Sequence, residues 1–398
     1  MYLVNTSATP DPNSTAFLRR QIKPDISCYS KTAPAGSCIT RAHDMETYIE
    51  LKNRDVDEPY CDDPDAPFER DTMDARDTRG QLTTYLNAIQ ATQHRTHTFG
   101  VFVNRRLCRL LCHTRSCTIV TEAFDYTSTT HLQNFFWRFT NTDAATRGHD
   151  DTFEAVDASS SEVKKARTVL QLSSSSPLFR VSVTDSETTK TTLYIVSKPL
   201  SNTDIFPVGR GTRCYQAYDC QTHAVVLLKD TWRVEKYLRE GDVYRKLHDA
   251  GVSYIAGLVT AGDVRGSTHR CGDVRAIRSR TIGMSIRSHV HYRLVLDTVG
   301  DPLTHFSSTW ELVNAVSCAL ICTVIRYSSK LSLTSLSGHS EAAKKAKILH
   351  RDISVGNILI TSEGNGILVD WELSKDLGTT TEARVNERTV CVEFIVPT

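Results

Sequence analysis

The segment ILHRDISVGNILI (348–360) sets His350, Arg351 and Asp352 in an apolar frame and places Asn357 five positions after the aspartate. A carboxylate at Asp352 can accept the proton of a hydroxyl nucleophile, and an amide oxygen at Asn357 can bind a hard divalent cation. Thirteen residues after Asn357, GILVDWELSK (366–375) brings a second carboxylate, Asp370, at the end of an apolar run. Two oxygen ligands on neighbouring loops suit Mg²⁺ beside a nucleoside triphosphate, because this ion keeps waters and takes few protein ligands.

Parts that handle a triphosphate lie upstream in a meaningful order. VGRGTRCYQAYD (208–219) places Gly209 and Gly211 between strand-like runs, where missing side chains let backbone N–H groups approach phosphate oxygens. The third glycine of a G-x-G-x-x-G loop is replaced by Cys214. In VVLLKD (225–230), Lys229 ends an apolar strand; in REGDVYRKLH (239–248), Glu240 precedes Val243, Tyr244 and Leu247 at helical spacing, so its carboxylate can turn inward. Each part has a bland reading as loop, surface charge or core. Their order is what carries the signal.

The second half resembles the fungal-type protein kinase family in GRGTRCY, REGDVY, HYRLVLDTVGDPL, HRDISVGNILI and VDWELSK. The first half is similar to that family's N-terminal region in IKPDISCYS, RGQLTTYLNAIQ and TEAFDYTSTTHLQNFFWRF. The resemblance implies ATP and Mg²⁺ as cofactors and a protein bearing a Ser or Thr acceptor as substrate. Gly209 and Gly211 would cover the phosphates, and Lys229, paired with Glu240, would hold the α- and β-phosphates. Leu294 to Asp297 would form the hinge beside adenine, with Leu294 and Leu296 lining it. Asp352 would be the catalytic base, Arg351 would brace its loop, and Asn357 and Asp370 would hold the metal.

Several features depart from the kinase pattern. Ser354 stands where many Ser/Thr kinases carry a lysine, as it does in the family resembled, and Asp370 is followed by Trp371 and Glu372 rather than Phe-Gly. A helical pattern stops near Leu320 and resumes at His339, so 321–338 reads as an insertion such as a retained intron. After NERT (386–389) the chain runs VCVEFIVPT and ends, without the segment and helices expected to complete a large lobe. Weak ATP binding and poor phosphotransfer are therefore expected, and a pseudokinase scaffold is the first rival reading.

A second constellation lies near the start. KPD (23–25) followed by IELK (49–52) resembles the PD-(D/E)xK nuclease pattern, in which Asp25 and Glu50 would bind a divalent cation and Lys52 would position water. Gln81 and Tyr85, one helical turn apart, are similar to the Q-x-x-x-Y motif of RecB-like nucleases. The bland reading is a turn and a surface strand. Nucleic acid is a partner only if this domain is an active, metal-dependent nuclease.

Composition supplies the frame. With 47 Lys+Arg against 46 Asp+Glu, no global field draws the chain to nucleic acid or an anionic membrane. The start lacks the order of a secretory signal, and LVNAVSCALICTVI (312–325) is too short to span a bilayer. An intracellular protein of cytoplasm or nucleus, without a membrane partner, is expected. Twelve scattered cysteines suit reduced thiols; Cys108, Cys112, His113 and Cys117 have the ligand types of a zinc site but also read as two strands around a polar turn. The arginines at 265, 270, 275, 278, 280 and 287 read as a solvated loop or as a docking site for an acidic partner.

The elements that must position these residues read as strands first and helices later. The expected class is α+β: a bilobal protein kinase-like domain (178–398) with an incomplete large lobe. A mixed α/β domain (1–147) and an Asp/Ser-rich linker (148–177) precede it. In the small lobe FRVSV, TLYIVSKP and AVVLLKD should be strands, and WRVEKYLREGDVYRKLHDAG and TWELVNAVSCAL should be helices.

Overall fold

The computed structural model describes residues 1–14, 21–31, 38–157, 159–200, 208–269, 287–320 and 338–378. The chain divides into two compact units, Met1–Gly241 with Gly257–Val299, and Asp242–Ala256 with Gly300–Thr398. Strands and helices are mixed throughout, as an α+β class requires.

The first sheet of unit 1 orders β1 (Tyr2–Asn5), β2 (Ile26–Tyr29), β3 (Met45–Lys52), β4 (Thr98–Asn104), β5 (Leu107–His113) and β6 (Thr118–Val120) side by side. Strand β7 (Phe124–Asp125) also pairs with β5. Only the β3–β4 pair is parallel, and the connection between them carries the long helix α1 (Met73–Thr92), the kind of crossover that parallel neighbours need. Thr72 caps this helix by accepting the Ala75 N–H at 3.3 Å. Leu82, Tyr85, Leu86 and Ile89 recur at helical spacing and pack on Tyr29, Tyr48, Phe102 and Leu111 of the sheet. The other face takes Leu132, Phe135 and Phe136 of α2 (His131–Asn141) against Ile49, Val101 and Val103.

The second sheet of unit 1 begins inside the expected linker. That segment contributes β8 (Phe153–Ala155) and α3 (Ser161–Val169), the latter capped by Ser160. The sheet also contains β9 (Phe179–Thr184), β10 (Thr191–Val196), β11 (Arg213–Asp219), β12 (Val225–Val234), β13 (Leu258–His269) and β14 (His289–Leu296). Their order across the sheet is β13-β14-β12-β11-β10-β9-β8. Two local expectations are corrected. Trp232 to Val234 belong to β12, paired with His289 to His291, so the helix α4 starts only at Glu240 and runs to Asp249. Lys229 is therefore in the middle of its strand, not at its end.

Alternation along β12 sends Leu228 and Asp230 to one face and Lys229 to the other. Leu228 joins Val183, Tyr194, Tyr215 and Val295 in the core. Asp230 meets His291 Nε2 at 2.9 Å and accepts from Arg293 Nε at 2.8 Å. Burial pushes the Asp230 carboxyl up, but His291 and Arg293 outweigh it and hold the group well below the usual carboxylate range. Arg293 also donates to Thr152 Oγ1 at 2.6 Å and lies 4.9 Å from the Phe153 ring centre. Beside it, Arg213 donates to the carbonyls of Gln90 and Gln93 at the end of α1, so cation and helix terminus satisfy each other. The two sheets of unit 1 are thus stitched by buried charge.

Unit 2 holds a small sheet of β15 (Asp301–Pro302), β17 (Ile358–Ile360) and β18 (Gly366–Leu368), and a separate pair of β16 (Ile348–Leu349) with β19 (Lys375–Asp376). Helix α5 (Thr309–Leu320) crosses β18 so closely that a Cβ at Gly366 would lie 1.9 Å from the Ala315 carbonyl oxygen, which is why glycine stands there. The short helix α6 (Gly338–Glu341) follows, and Glu341 accepts the Ser253 N–H at 2.7 Å. The expected insertion at 321–338 and the tail after 378 fall outside the described residues, apart from Gly338, as do the arginines at 270, 275, 278 and 280. Among the described residues no helix is long and apolar enough to cross a membrane.

His94, stacked on Phe153 with ring centres 3.8 Å apart, is brought from its ordinary 6.5 to about 4 by burial and then by the Arg213 charge. Burial does the same to His289, also to about 4. The folded chain keeps both imidazoles neutral where the unfolded chain protonates them. Their contribution to stability is thus complete above pH 6.5 and lost as pH falls towards 4. Chemical unfolding across that window should show stability falling with pH, and His94→Phe, which keeps the stacking, should flatten part of the slope.

Candidate functional site

Lys229 Nζ meets Glu240 Oε2 at 2.7 Å, with 8% and 2% of the two side chains exposed. The carboxylate stands at the first residue of α4, where the helix dipole favours it. The helix start is fixed by the Gly241 N–H donating to the Tyr292 hydroxyl at 2.8 Å. Across the sheet Lys229 pairs with Cys214 on one side and Leu294 on the other. Leu294, Val295 and Leu296 are all buried, and β14 ends where Asp297 and Gly257 exchange hydrogen bonds of 2.9 and 2.8 Å. Gly209 and Gly211 lie just before β11 with left-handed φ values of +109° and +49°, a backbone that side chains disfavour.

In unit 2 the apolar frame around the histidine explains itself. His350, fully buried, sits 2.9 Å from the Val369 carbonyl through Nε2 and accepts the Asp352 N–H at 3.3 Å through Nδ1. Its ring meets the edge of Trp371, centres 4.6 Å apart, and the indole donates to the Leu368 carbonyl at 3.0 Å. Burial lowers the His350 pKa against the pull of the nearby Asp370 and Asp352 carboxylates, which keeps Nδ1 free to accept. Asn357 Nδ2 donates to the Asp352 carbonyl at 2.8 Å and to its carboxylate at 3.3 Å. The Val369 N–H in turn donates to the Asn357 carbonyl at 3.0 Å. The amide N–H groups of Asn357 are thus turned to Asp352. An amide oxygen and a carboxylate such as the half-buried Asp370 are donor types that Mg²⁺ takes.

The brace of this loop is His350, with Trp371 behind it. Arg351 is exposed at φ +72° and makes no hydrogen bond or ion pair among the described residues. Sequence reading overlooked that role for His350 and Trp371. A histidine flanked by Ile348, Leu349 and Ile353 in sequence was its available signal.

The first sheet assembles a second charged cluster. Lys52 Nζ donates to Glu50 Oε1 at 2.8 Å and to Gln81 Oε1 at 3.0 Å; Gln81 donates to Tyr85, whose hydroxyl donates to the Lys23 carbonyl. Asp25 accepts the Leu51 N–H at 2.8 Å. Glu50 is 2% exposed, and its Oε2 has no hydrogen-bond partner among the described residues. Burial raises its pKa, opposed by Lys52 and reinforced by Asp25. The zinc set is not assembled. Cys117 is disulfide-bonded, a departure from the expectation of reduced thiols, and His113 Nδ1 lies 2.7 Å from Thr118 Oγ1. Burial pushes the Cys108 and Cys112 thiols up to about 12 and about 11, away from the thiolate a metal needs.

A buried lysine–glutamate pair, a glycine-bearing turn ahead of its strand and an HRD-x-x-x-x-N loop are a protein kinase's parts. The family model for fungal protein kinases matches residues 67–396, and the chain belongs to that family. No curated protein matches it.

Removing one member of the Lys229–Glu240 pair should be costly in itself. Glu240→Ala should lower stability by about 3–5 kcal/mol in urea unfolding, because it removes the carboxylate bonded to a buried ammonium. The double change Lys229→Met with Glu240→Leu should cost less than either single change.

Proposed function

We propose that the chain is a protein kinase-type phosphotransferase that moves the γ-phosphoryl of ATP to a Ser or Thr hydroxyl. The observation that carries this reading is the buried 2.7 Å pair of Lys229 with Glu240, a contact that kinase chemistry needs in place before transfer. In this reading Lys229 binds the α- and β-phosphates, and Leu294 to Asp297 border the adenine. Asp352 orients the acceptor hydroxyl and takes its proton as the oxygen–phosphorus bond forms, the β–γ bridge breaks and ADP leaves. Asn357 and Asp370 would hold Mg²⁺, which when bound neutralises phosphate charge. The reading also carries the bilobal arrangement, with unit 1 supplying the nucleotide-phosphate groups and unit 2 the transfer groups. Its domain division keeps 1–147 as an α/β layer, 148–177 as a connecting segment and 178–398 as the kinase-like region.

Incubation with labelled ATP, Mg²⁺ and a Ser/Thr-rich acceptor such as casein should give metal-dependent labelling. Asp352→Asn should lower the rate about 10²–10⁴-fold, the usual weight of a general base, with nucleotide binding retained. ATP binding without transfer in the unaltered chain would instead make it a nucleotide-binding scaffold.

A second reading is favoured by Glu50 Oε2, a buried carboxylate oxygen with no hydrogen-bond partner among the described residues, in a carboxyl that the Asp25 and Lys52 charges both influence. Asp25 and Glu50 would hold a divalent cation there, and Lys52 would orient water on it. Mn²⁺ binding measured by electron paramagnetic resonance without nucleotide should show one site that Glu50→Ala removes and Asp370→Ala keeps. Unchanged binding in Glu50→Ala would end this reading. Cleavage of DNA by the Mn²⁺-loaded chain, lost in the same variant, would extend it to a nuclease.

A further inference from the structure

The glycine-bearing segment ahead of β11 is held from outside its own sheet. The turn joining β5 to β6 is closed by the Thr114 N–H donating to the Cys117 carbonyl at 2.9 Å, and the Thr114 hydroxyl accepts the Ser116 and Cys117 N–H groups at 3.2 Å. From this turn the Arg115 carbonyl accepts the Gly209 N–H at 2.8 Å. The Arg115 side chain is buried, the residue being only 2% exposed. Its guanidinium fills the position a side chain at Gly211 would occupy: a Cβ there would lie 2.3 Å from Arg115 Cζ and 2.5 Å from Nη1. Ser116 Oγ, 3.1 Å from His289 Nδ1, anchors the same turn to β14. Arg115 shares the wall of a small cavity with Asp150 and Asp230. On the other side the Trp232 N–H donates to the Arg210 carbonyl at 2.7 Å.

Gly211 therefore has a reason to be glycine that involves no phosphate. With a left-handed backbone and the Arg115 guanidinium where a Cβ would stand, any side chain at 211 would carry φ strain and push that guanidinium aside. We propose that Arg115, from the first sheet, is a positioning residue for the nucleotide. It fixes the glycine segment in one conformation, so the N-terminal layer sets the ATP affinity of the second sheet. This rests on the phosphotransfer reading. A loop ordered before binding gives up less conformational freedom on binding than one ordered by the ligand.

The test is ATP·Mg²⁺ titration by calorimetry of the full chain, Arg115→Ala, Gly211→Ala and the double variant, with hydrogen exchange over 208–219 on each. Arg115→Ala should weaken ATP binding about tenfold, the equivalent of re-ordering roughly one backbone residue, and speed exchange over that segment while thermal unfolding shows the fold intact. Gly211→Ala should do less further damage in the Arg115→Ala background than alone, because its clash is gone and only φ strain remains. Arg115→Lys, which keeps the charge but not the planar group, should recover only part of the affinity.

Unchanged or tighter ATP binding by a folded Arg115→Ala chain would overturn the proposal, as would additive effects in the double variant. If the unaltered chain binds no ATP, the phosphotransfer reading falls and the nucleotide role falls with it. Exchange over 208–219 would then still decide separately whether Arg115 pins the segment.

Discussion

Lys229 and Asp230 are consecutive, oppositely charged and both buried in one strand, and the pleat sends them to opposite faces of the second sheet. A buried charge is tolerated only where a counter-charge and hydrogen bonds meet it. Each face must therefore be covered by an element that brings the right partner. On one face α4 begins with Glu240. On the other, His291 and Arg293 of the neighbouring strand close on Asp230, and Arg293 reaches out to Thr152 and the Phe153 ring. The sheet cannot be left bare on either side.

That requirement gives the 148–177 segment its structure. Its Asp, Ser and Thr content reads as a linker, yet Asp150 stands 3.5 Å from Arg293, and Phe153 lies in β8 between His94 and the core. A few polar residues of this segment meet buried cations or cap α3, although Asp157 and Ser173 to Ser175 are exposed. The same physics acts at Arg213, which faces Asp230 across the β11–β12 ladder and caps the carbonyl end of α1.

Much of the candidate site was legible because chemistry constrains both residue type and spacing. The apolar residues after Glu240 turn its carboxylate inward, and Glu240 is the residue paired with Lys229. Asp352 and Asn357 likewise stand together in one loop. Strands β9, β10 and β12 and helix α5 are legible from period and length. Trp232 to Val234 are not, because an aromatic and a β-branched residue around an arginine fit either period, and only pairing with β14 selects the strand. Arg115 is beyond sequence reading altogether. It acts on residues nearly a hundred positions later, and nothing in HTRSC separates a surface turn from one inserted beside a glycine.

The segment at Asp370 uses packing where many kinases place a flexible glycine. Asp370 adopts the left-handed conformation at φ +64° without being glycine, a strained state for a side chain. Its neighbour Trp371 holds it there: fully buried, it anchors its indole on the Leu368 carbonyl and its ring edge on His350. His350 in turn touches both the Val369 carbonyl before Asp370 and the N–H of Asp352. One imidazole thus ties the two carboxylate-bearing segments together, and it does so only while neutral, since a protonated Nδ1 could no longer accept the Asp352 N–H. Burial, by lowering the His350 pKa, is what keeps that tie intact. The orientation of Asp352 therefore depends on the Trp371 contact, although Trp371 is nineteen residues away and carries no acid–base chemistry of its own.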